Sequence, residues 1–280
     1  MASVIAAQLY TLRGFTKTPA QIAQTLRKVK QIGYDAVQTS ALGPIEPKEL
    51  ATILRGEGLV CCATHTSFER MRDQTEAVIE EHRILGCKHT AIGSLPGSYR
   101  TREGYHAFAK DCGEVARRLK AAGLVFGYHN HSFELEKYDG KTALEILMDE
   151  TDSQAVTFEM DTYWIQHGGG DPAQWIARAA GRIPLVHLKD MAVGPERTSE
   201  APARYAGEPD EAYGKRIESH RASRPIMAEV GEGNLNWGAI LGACRKSGVQ
   251  WYIVEQDTCQ RDPFESLRIS LRNLREMGVE

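Results

Sequence analysis

No stretch of the 280 residues approaches the ~18 consecutive apolar side chains that a membrane span needs, which excludes a bilayer-crossing segment. The six cysteines, at 61, 62, 87, 112, 244 and 259, form no CxxC and no paired spacing, so neither a zinc knuckle nor a disulfide framework is expected. Charge of one sign is also missing: Lys plus Arg total 34 against 37 Asp plus Glu, a net of -3. The densest basic group, Arg117, Arg118 and Lys120, reads as the solvated side of a helix, so a nucleic-acid partner is not expected. The opening Met1-Ala2-Ser3-Val4-Ile5-Ala6-Ala7 has no basic region ahead of its apolar residues, which argues against a secretion signal and makes the cytoplasm the expected compartment.

What is present is an ordinary globular composition, 42% hydrophobic and 25% charged, with enough apolar residues for a sizeable core. Length alone allows two small domains or one barrel-sized domain. Strand-length apolar runs at 4–10, 36–39, 59–66, 89–94, 124–131, 156–162, 184–190 and 251–257 alternate with helical periodicity at 19–32, 47–56, 68–85, 102–122, 142–150, 172–180, 237–246 and 263–277. Thr18-Pro19, Asp171-Pro172 and Asp262-Pro263 offer an N-cap followed by Pro in the first helical turn. Gly33, Gly86, Gly123 and Gly248 stand where a helix would stop just ahead of the next strand.

No linker interrupts the pattern, and an eightfold strand-helix repeat closes most naturally into a single (β/α)8 TIM barrel over residues 1–280, an α/β fold usually of ~250 residues. A doubly wound open sheet is the competing architecture. The main irregularity is 191–224, rich in Pro, Gly, Ala and charge, which reads either as a disordered insertion or as a lid over the barrel mouth.

Barrel active sites form at the C-terminal ends of strands, so polar residues closing apolar runs are the informative ones. They are Gln8 and Tyr10, His65 and Thr66, His129 to His131, Glu159 and Asp161, His187 to Asp190, Glu229, and Glu255 to Asp257. Strand alternation puts His129 with His131, Glu159 with Asp161, and His187 with Lys189 on one face. A lone strand-end His is ordinarily a hydrogen-bonded core group, but convergence of so many ionisable groups favours a site, because burying them unpaired is costly. Imidazoles and carboxylates from several strands suit one divalent ion such as Mn, Mg, Co or Zn, with positions left open for substrate.

Six motifs, Gln8-Leu9-Tyr10-Thr11-Leu12-Arg13, Tyr128-His129-Asn130-His131, Asp161-Thr162-Tyr163-Trp164, His187-Leu188-Lys189-Asp190, Gly231-Glu232-Gly233-Asn234-Leu235-Asn236-Trp237 and Val254-Glu255-Gln256-Asp257, together resemble the xylose isomerase-like barrels over nearly the whole chain. That superfamily includes sugar isomerases and epimerases, cyclitol dehydratases and the apurinic-site endonuclease. The resemblance implies one divalent ion, often Mn, held by a Glu, an Asp, a His and a second Glu from four strand ends. Asp161, His187 and Glu255 match the last three. At the first, where many members read Glu-Asn-His, this chain reads His129-Asn130-His131. Either His129 takes the place directly, the reading favoured here, or Glu134 folds back to supply the carboxylate.

The resemblance further implies proton abstraction beside the carbonyl of a keto-sugar or cyclitol, with Glu255 as general base and Lys189 or His131 as proton donor. Reprotonation gives isomerisation or epimerisation; loss of a neighbouring substituent gives dehydration or glycoside cleavage. A symmetrical two-glutamate epimerase is disfavoured by the missing Glu, and Lys189 tilts the reading towards elimination. Tyr10, Tyr163, Trp164 and Trp237 are candidate walls for the sugar ring, and Gln8, His65 and Glu229 candidate contacts to it. The only Gly-rich candidate phosphate cradle, Gly231 to Asn234, contains Glu232, so an unphosphorylated sugar is expected.

A sugar-binding barrel subunit without turnover is the non-enzyme alternative. The apurinic-site nuclease reading lacks ligands, since Trp164 stands after Asp161 where that enzyme carries a His. A small-molecule sugar or cyclitol is the expected partner, and assembly into a homo-oligomer stays open.

Overall fold

Period-two alternation sorts each strand into a helix-facing row and a lumen-facing row, and here the lumen rows run from small apolar to polar: Ala6 to Gln8, Ala36 to Gln38, Ala63 to His65, Gly127 to His129. In the computed structural model, which describes residues 4–194 and 225–279 together with Arg204, Asp210, Tyr213 and Gly214, those rows line one closed parallel barrel. Its eight strands are β1 (Val4–Gln8), β2 (Ala36–Thr39), β3 (Val60–His65), β4 (His89–Ile92), β5 (Val125–His129), β8 (Val156–Asp161), β9 (Leu185–Leu188) and β12 (Trp251–Val254). Round the barrel the order is β1, β12, β9, β8, β5, β4, β3, β2. Two small antiparallel pairs lie outside it: β6 (Lys137–Tyr138) with β7 (Lys141–Thr142), and β10 (Asp190–Val193) with β11 (Pro225–Ala228).

The larger core lies between strands and helices. The first helix, α1 (Pro19–Ile32), turns Ile22, Leu26 and Val29 inward at helical spacing, all fully buried. Each such side chain contributes roughly 1.5–3 kcal/mol on burial. Inside the barrel a small cluster of Ala6, Ala36, Cys62, Ala63, Leu185 and Ile253 fills the lower lumen. The polar layer rests on it. Thr18, Asp171 and Asp262 cap their helices through their side chains, and Gly33, Gly86 and Gly248 adopt the left-handed conformation that stops the preceding helix. All six cysteines are free, five of them buried. Among the described residues no helix is long and apolar enough to cross a membrane.

Several boundaries differ from the sequence expectation for local reasons. The first strand stops at Gln8, whose side chain accepts from the Tyr10 amide and starts a 3-10 helix over Leu9–Phe15. After α2 (Pro47–Glu57), the expected 68–85 helix is two helices, α3 (Phe68–Asp73) and α4 (Thr75–Leu85), broken at Gln74, where the Thr75 hydroxyl donates to the Met71 carbonyl (2.7 Å). The 156–162 strand ends at Asp161, which caps a short helix, Thr162–His167, that periodicity did not reveal. The 184–190 run splits at Lys189, and from Asp190 the chain enters the outer pair. The expected lid or insertion at 191–224 begins in that pair; from 195 onward, apart from the four residues named, it lies outside the described residues.

Candidate metal centre and active-site cavity

Four side chains far apart in sequence meet at the C-terminal mouth of the barrel. His129 ends β5, Asp161 ends β8, His187 lies in β9 and Glu255 follows β12, and one ligand atom from each lies within 4.8 Å of all the others. His129 Nε2 is 3.2 Å from Asp161 Oδ2, and His187 Nδ1 is 2.8 Å from Glu255 Oε2. All four are buried. Glu134 has gone elsewhere: its carboxylate accepts from the Tyr128 hydroxyl (2.7 Å) and the His131 amide (2.8 Å), outside the converging four. Burial pushes that carboxyl up to about 7.

Beneath the four runs a polar network that keeps a proton on one nitrogen of His187. Gln38 Oε1 accepts from Gln8 Nε2 (2.8 Å) and faces His187 Nε2 (2.6 Å), while Gln38 Nε2 donates to Glu159 Oε1 (2.7 Å). An amide oxygen is only an acceptor, so His187 Nε2 carries a proton and its Nδ1 is the atom turned to Asp161 and Glu255. A ligating His held by an acceptor on its other nitrogen is the usual second layer of a metal site. Glu159 Oε2 binds His65 Nε2 (2.7 Å), aiming the other edge of that ring towards Ser40. Gly93 makes room for it, since a Cβ there would lie 2.8 Å from His65 Nδ1.

Lys189 supplies the balancing charge. Its Nζ lies 3.0 Å from Asp161 Oδ2, 2.7 Å from Glu255 Oε2 and 3.1 Å from Asp257 Oδ1, with Trp164 over it at 5.6 Å. Burial would raise the Glu255 carboxyl, but Lys189 and His187 outweigh it and hold it well below the usual range. The same opposition, with Lys189 and His129 prevailing, lowers Asp161. Burial favours neutral His187, yet Glu159 and Glu255 raise it to about 10. Burial and then His187 lower His129, and burial and then His129 take His131 down to about 3.

The donor set fits a divalent ion. Two carboxylates and two imidazoles form a mixed N/O group of ordinary ligand chemistry. Buried carboxylates here outnumber Lys189 and His187, the two cations facing them, and buried His129 Nδ1 has no hydrogen-bond partner among the described residues.

Above the group lies a cavity of about 430 Å³, within the usual size of small-molecule sites of about 300–1,000 Å³. Of the expected site residues, Tyr10, His65, His129, His131, Trp164, Lys189 and Glu255 line it. Gln8 does not; it lies below, buried and bonded to Gln38. Tyr163 is turned away, stacking on His167 at 5.6 Å. Glu229 binds Ser266 (2.7 Å) and Arg261 (3.2 Å), and Trp237 Nε1 donates to Asp190 (2.6 Å), so neither reaches the cavity.

The glycine motif has a structural explanation of its own. The Asp190 carboxylate accepts from the amides of Met191, Gly231, Gly233 and Leu235 as well as from Trp237, so an internal anion fills the amide nest. Residues missing from the sequence expectation are Gln38, Ser40 and Gly93, with Glu159 and Asp257 seen as strand-end polar groups but not given their supporting places. Gln38 closes the run at 36–39 as the others close theirs, so the same strand-end signal marks it.

A closed barrel with metal-ligand chemistry at its C-terminal mouth is the class these observations define. A family model described as xylose isomerase-like TIM barrel matches residues 26–277, and the chain belongs to that family. Among curated proteins it is similar to the rhizopine catabolism protein MocC of Rhizobium meliloti, 25% identical over 92% of this chain and 82% of that one. It is also similar to an inosose dehydratase of Lacticaseibacillus casei, 26% identical over 86% and 85% of the two chains. Among solved structures, a sugar phosphate isomerase/epimerase from Parabacteroides distasonis superposes with a TM-score of 0.76 at 21% identity, covering 100% of this chain and 96% of the other, a likeness of fold.

Proposed function

We propose that this protein is a divalent-metal-dependent enzyme of the sugar isomerase and epimerase kind, acting by proton abstraction beside the carbonyl of a keto-sugar or cyclitol. The observation that carries this reading is the convergence of His129, Asp161, His187 and Glu255 at the floor of a substrate-sized cavity. A divalent ion held by those four, Mn first among the candidates, supplies positive charge beside a carbonyl oxygen and so makes the neighbouring C–H more acidic. The similarity to an inosose dehydratase supports a polyhydroxylated ketone as substrate.

The protein's own residues then divide the proton work. Glu255, kept ionised by Lys189 and His187 against the effect of burial, is the carboxylate that accepts the proton from carbon. Lys189 is held protonated, because Asp161, Glu255 and Asp257 outweigh its burial, and so presents an ammonium that can hydrogen-bond to a substrate oxygen. His131, which burial and then His129 hold down to about 3, lines the cavity as the other candidate for the second proton transfer. Trp164 covers Lys189 and excludes water from it, and Tyr10 and His65 complete the cavity wall.

One observation favours elimination as a second reading: an ammonium at the cavity wall, held by three carboxylates, is placed to stabilise the charge on a departing hydroxyl or alkoxide. A single experiment tests both. Purified protein incubated with Mn and a panel of ketoses, inososes and keto-glycosides in deuterated water is expected to bind about one divalent ion per chain and to incorporate deuterium beside the carbonyl, with Asp161→Ala abolishing both. Full exchange by metal-free protein would contradict the proposal, and unsaturated or cleaved products would assign elimination.

A further inference from the structure

A second cavity of about 290 Å³ adjoins the first on the β2 and β3 side of the mouth, and Ser40 and His65 line both. The partition between them is thin, since Ser40 Oγ and His65 Nδ1 are 3.5 Å apart, at the long limit for a hydrogen bond. On one side the wall carries Ser40, His65 and the Arg70–Glu81 ion pair (2.7 Å), with the buried Thr64 and Thr66 hydroxyls bonded to each other (3.2 Å) and to Thr90 (3.0 and 3.2 Å). On the other it is apolar, with Leu42, Ile45 and Leu85.

The 40–47 loop that forms this wall is anchored in place. The Gly43 amide donates to the Thr16 carbonyl (2.7 Å), and a Cβ on Gly43 would collide with the Lys17 backbone. Ala41, also in the wall, has φ 53, a left-handed conformation that non-glycine residues seldom adopt and that clusters at ligand-holding sites. The cavity is therefore preformed, as small-molecule sites usually are.

Its chemistry selects the occupant. Glu81 neutralises the guanidinium of Arg70, so the wall offers no free cation for a phosphate. Hydroxyl and charged groups facing an apolar side match a sugar ring or a similarly sized polyol, which has polar edges and an apolar face.

We infer that the second cavity is a subsite for a second, uncharged sugar-sized ring, so that the substrate is a glycoside spanning both cavities with its inter-ring bond beside Ser40 and His65. This rests on the sugar chemistry proposed above and adds to it the size and charge of the substrate.

Calorimetric titration of the full chain, metal-free and with Mn, using glucose, glucose 6-phosphate and a set of glucose disaccharides (maltose, cellobiose, sophorose) tests the inference without requiring turnover. At least one disaccharide is expected to bind tenfold or more tightly than glucose. Leu42→Trp, which narrows only the second cavity, and Arg70→Gln, which removes half of the ion pair, are each expected to cut that advantage at least fivefold while glucose affinity stays unchanged.

Equal affinity for glucose and every disaccharide would overturn the inference, as would an advantage that both variants retain or one that glucose 6-phosphate alone displays. Binding is read separately from deuterium exchange. A disaccharide preference without exchange would therefore sink the catalytic reading and leave the subsite standing, whereas exchange without the preference would do the reverse.

Discussion

Gln38 shows how one uncharged side chain governs a charged site. Its oxygen faces Gln8 Nε2 and His187 Nε2, and its nitrogen donates to Glu159; the opposite amide orientation would set its N–H groups against another N–H donor. Because it keeps a proton on His187 Nε2, Nδ1, which faces Glu255 at 2.8 Å, is the nitrogen that would give up its proton to a metal. Gln38→Met leaves Gln8, His187 and Glu159 each short of a partner in a buried place. It is expected to destabilise the fold by on the order of 2–4 kcal/mol and to weaken Mn binding roughly 10–100-fold. Thermal denaturation and metal titration of the variant check this, and unchanged Mn affinity would show that the Nε2 proton is held by something else.

At the scale of elements, the helices are fastened to the barrel by buried polar contacts as well as by apolar packing. His82 of α4 places Nδ1 2.7 Å from the Val78 carbonyl, to which it donates, and Nε2 2.8 Å from the Thr64 hydroxyl, which can donate to it when the ring is neutral. Burial lowers its pKa below the ordinary value of 6.5. Under acid conditions the unfolded chain binds a proton that the folded chain refuses. The contribution is therefore complete above about pH 6.5 and is lost as pH falls below it. Urea unfolding at pH 7.5 and 5.5 is expected to show a smaller acid-induced loss of stability for His82→Gln than for the unaltered protein, and equal losses would contradict this assignment.

The elements also show what was legible in the sequence. Gly33, Gly86 and Gly248 mark helix ends because a left-handed cap needs no distant partner, and the Thr18, Asp171 and Asp262 caps are equally local. The β10–β11 pair and the five-donor hub at Asp190 were not legible, because four of the five donors to Asp190 lie 41 to 47 residues onward.

On the scale of the whole molecule, closure of the barrel turns distance along the chain into proximity. Polar residues ending apolar runs point to the mouth by alternation alone, which puts Asp161, His187 and Glu255 among the candidates, and the family resemblance is what picks them out as ligands. Which of them touch depends on strand order round the barrel. Gln38 is 121 residues from Glu159 and 149 from His187, and nothing local announces those contacts. The same holds for residues that alternation or aromaticity drew towards the mouth but packing turned aside: Tyr163 onto His167, Glu229 onto Ser266 and Trp237 onto Asp190.

The proposed chemistry needs one cation at the meeting point of four strand ends. Anomalous diffraction from Mn-soaked crystals measures this directly. A single manganese peak bounded by His129, Asp161, His187 and Glu255 is the predicted result, whereas manganese bound elsewhere, or no peak while those four side chains remain paired with Lys189 and one another, would contradict it.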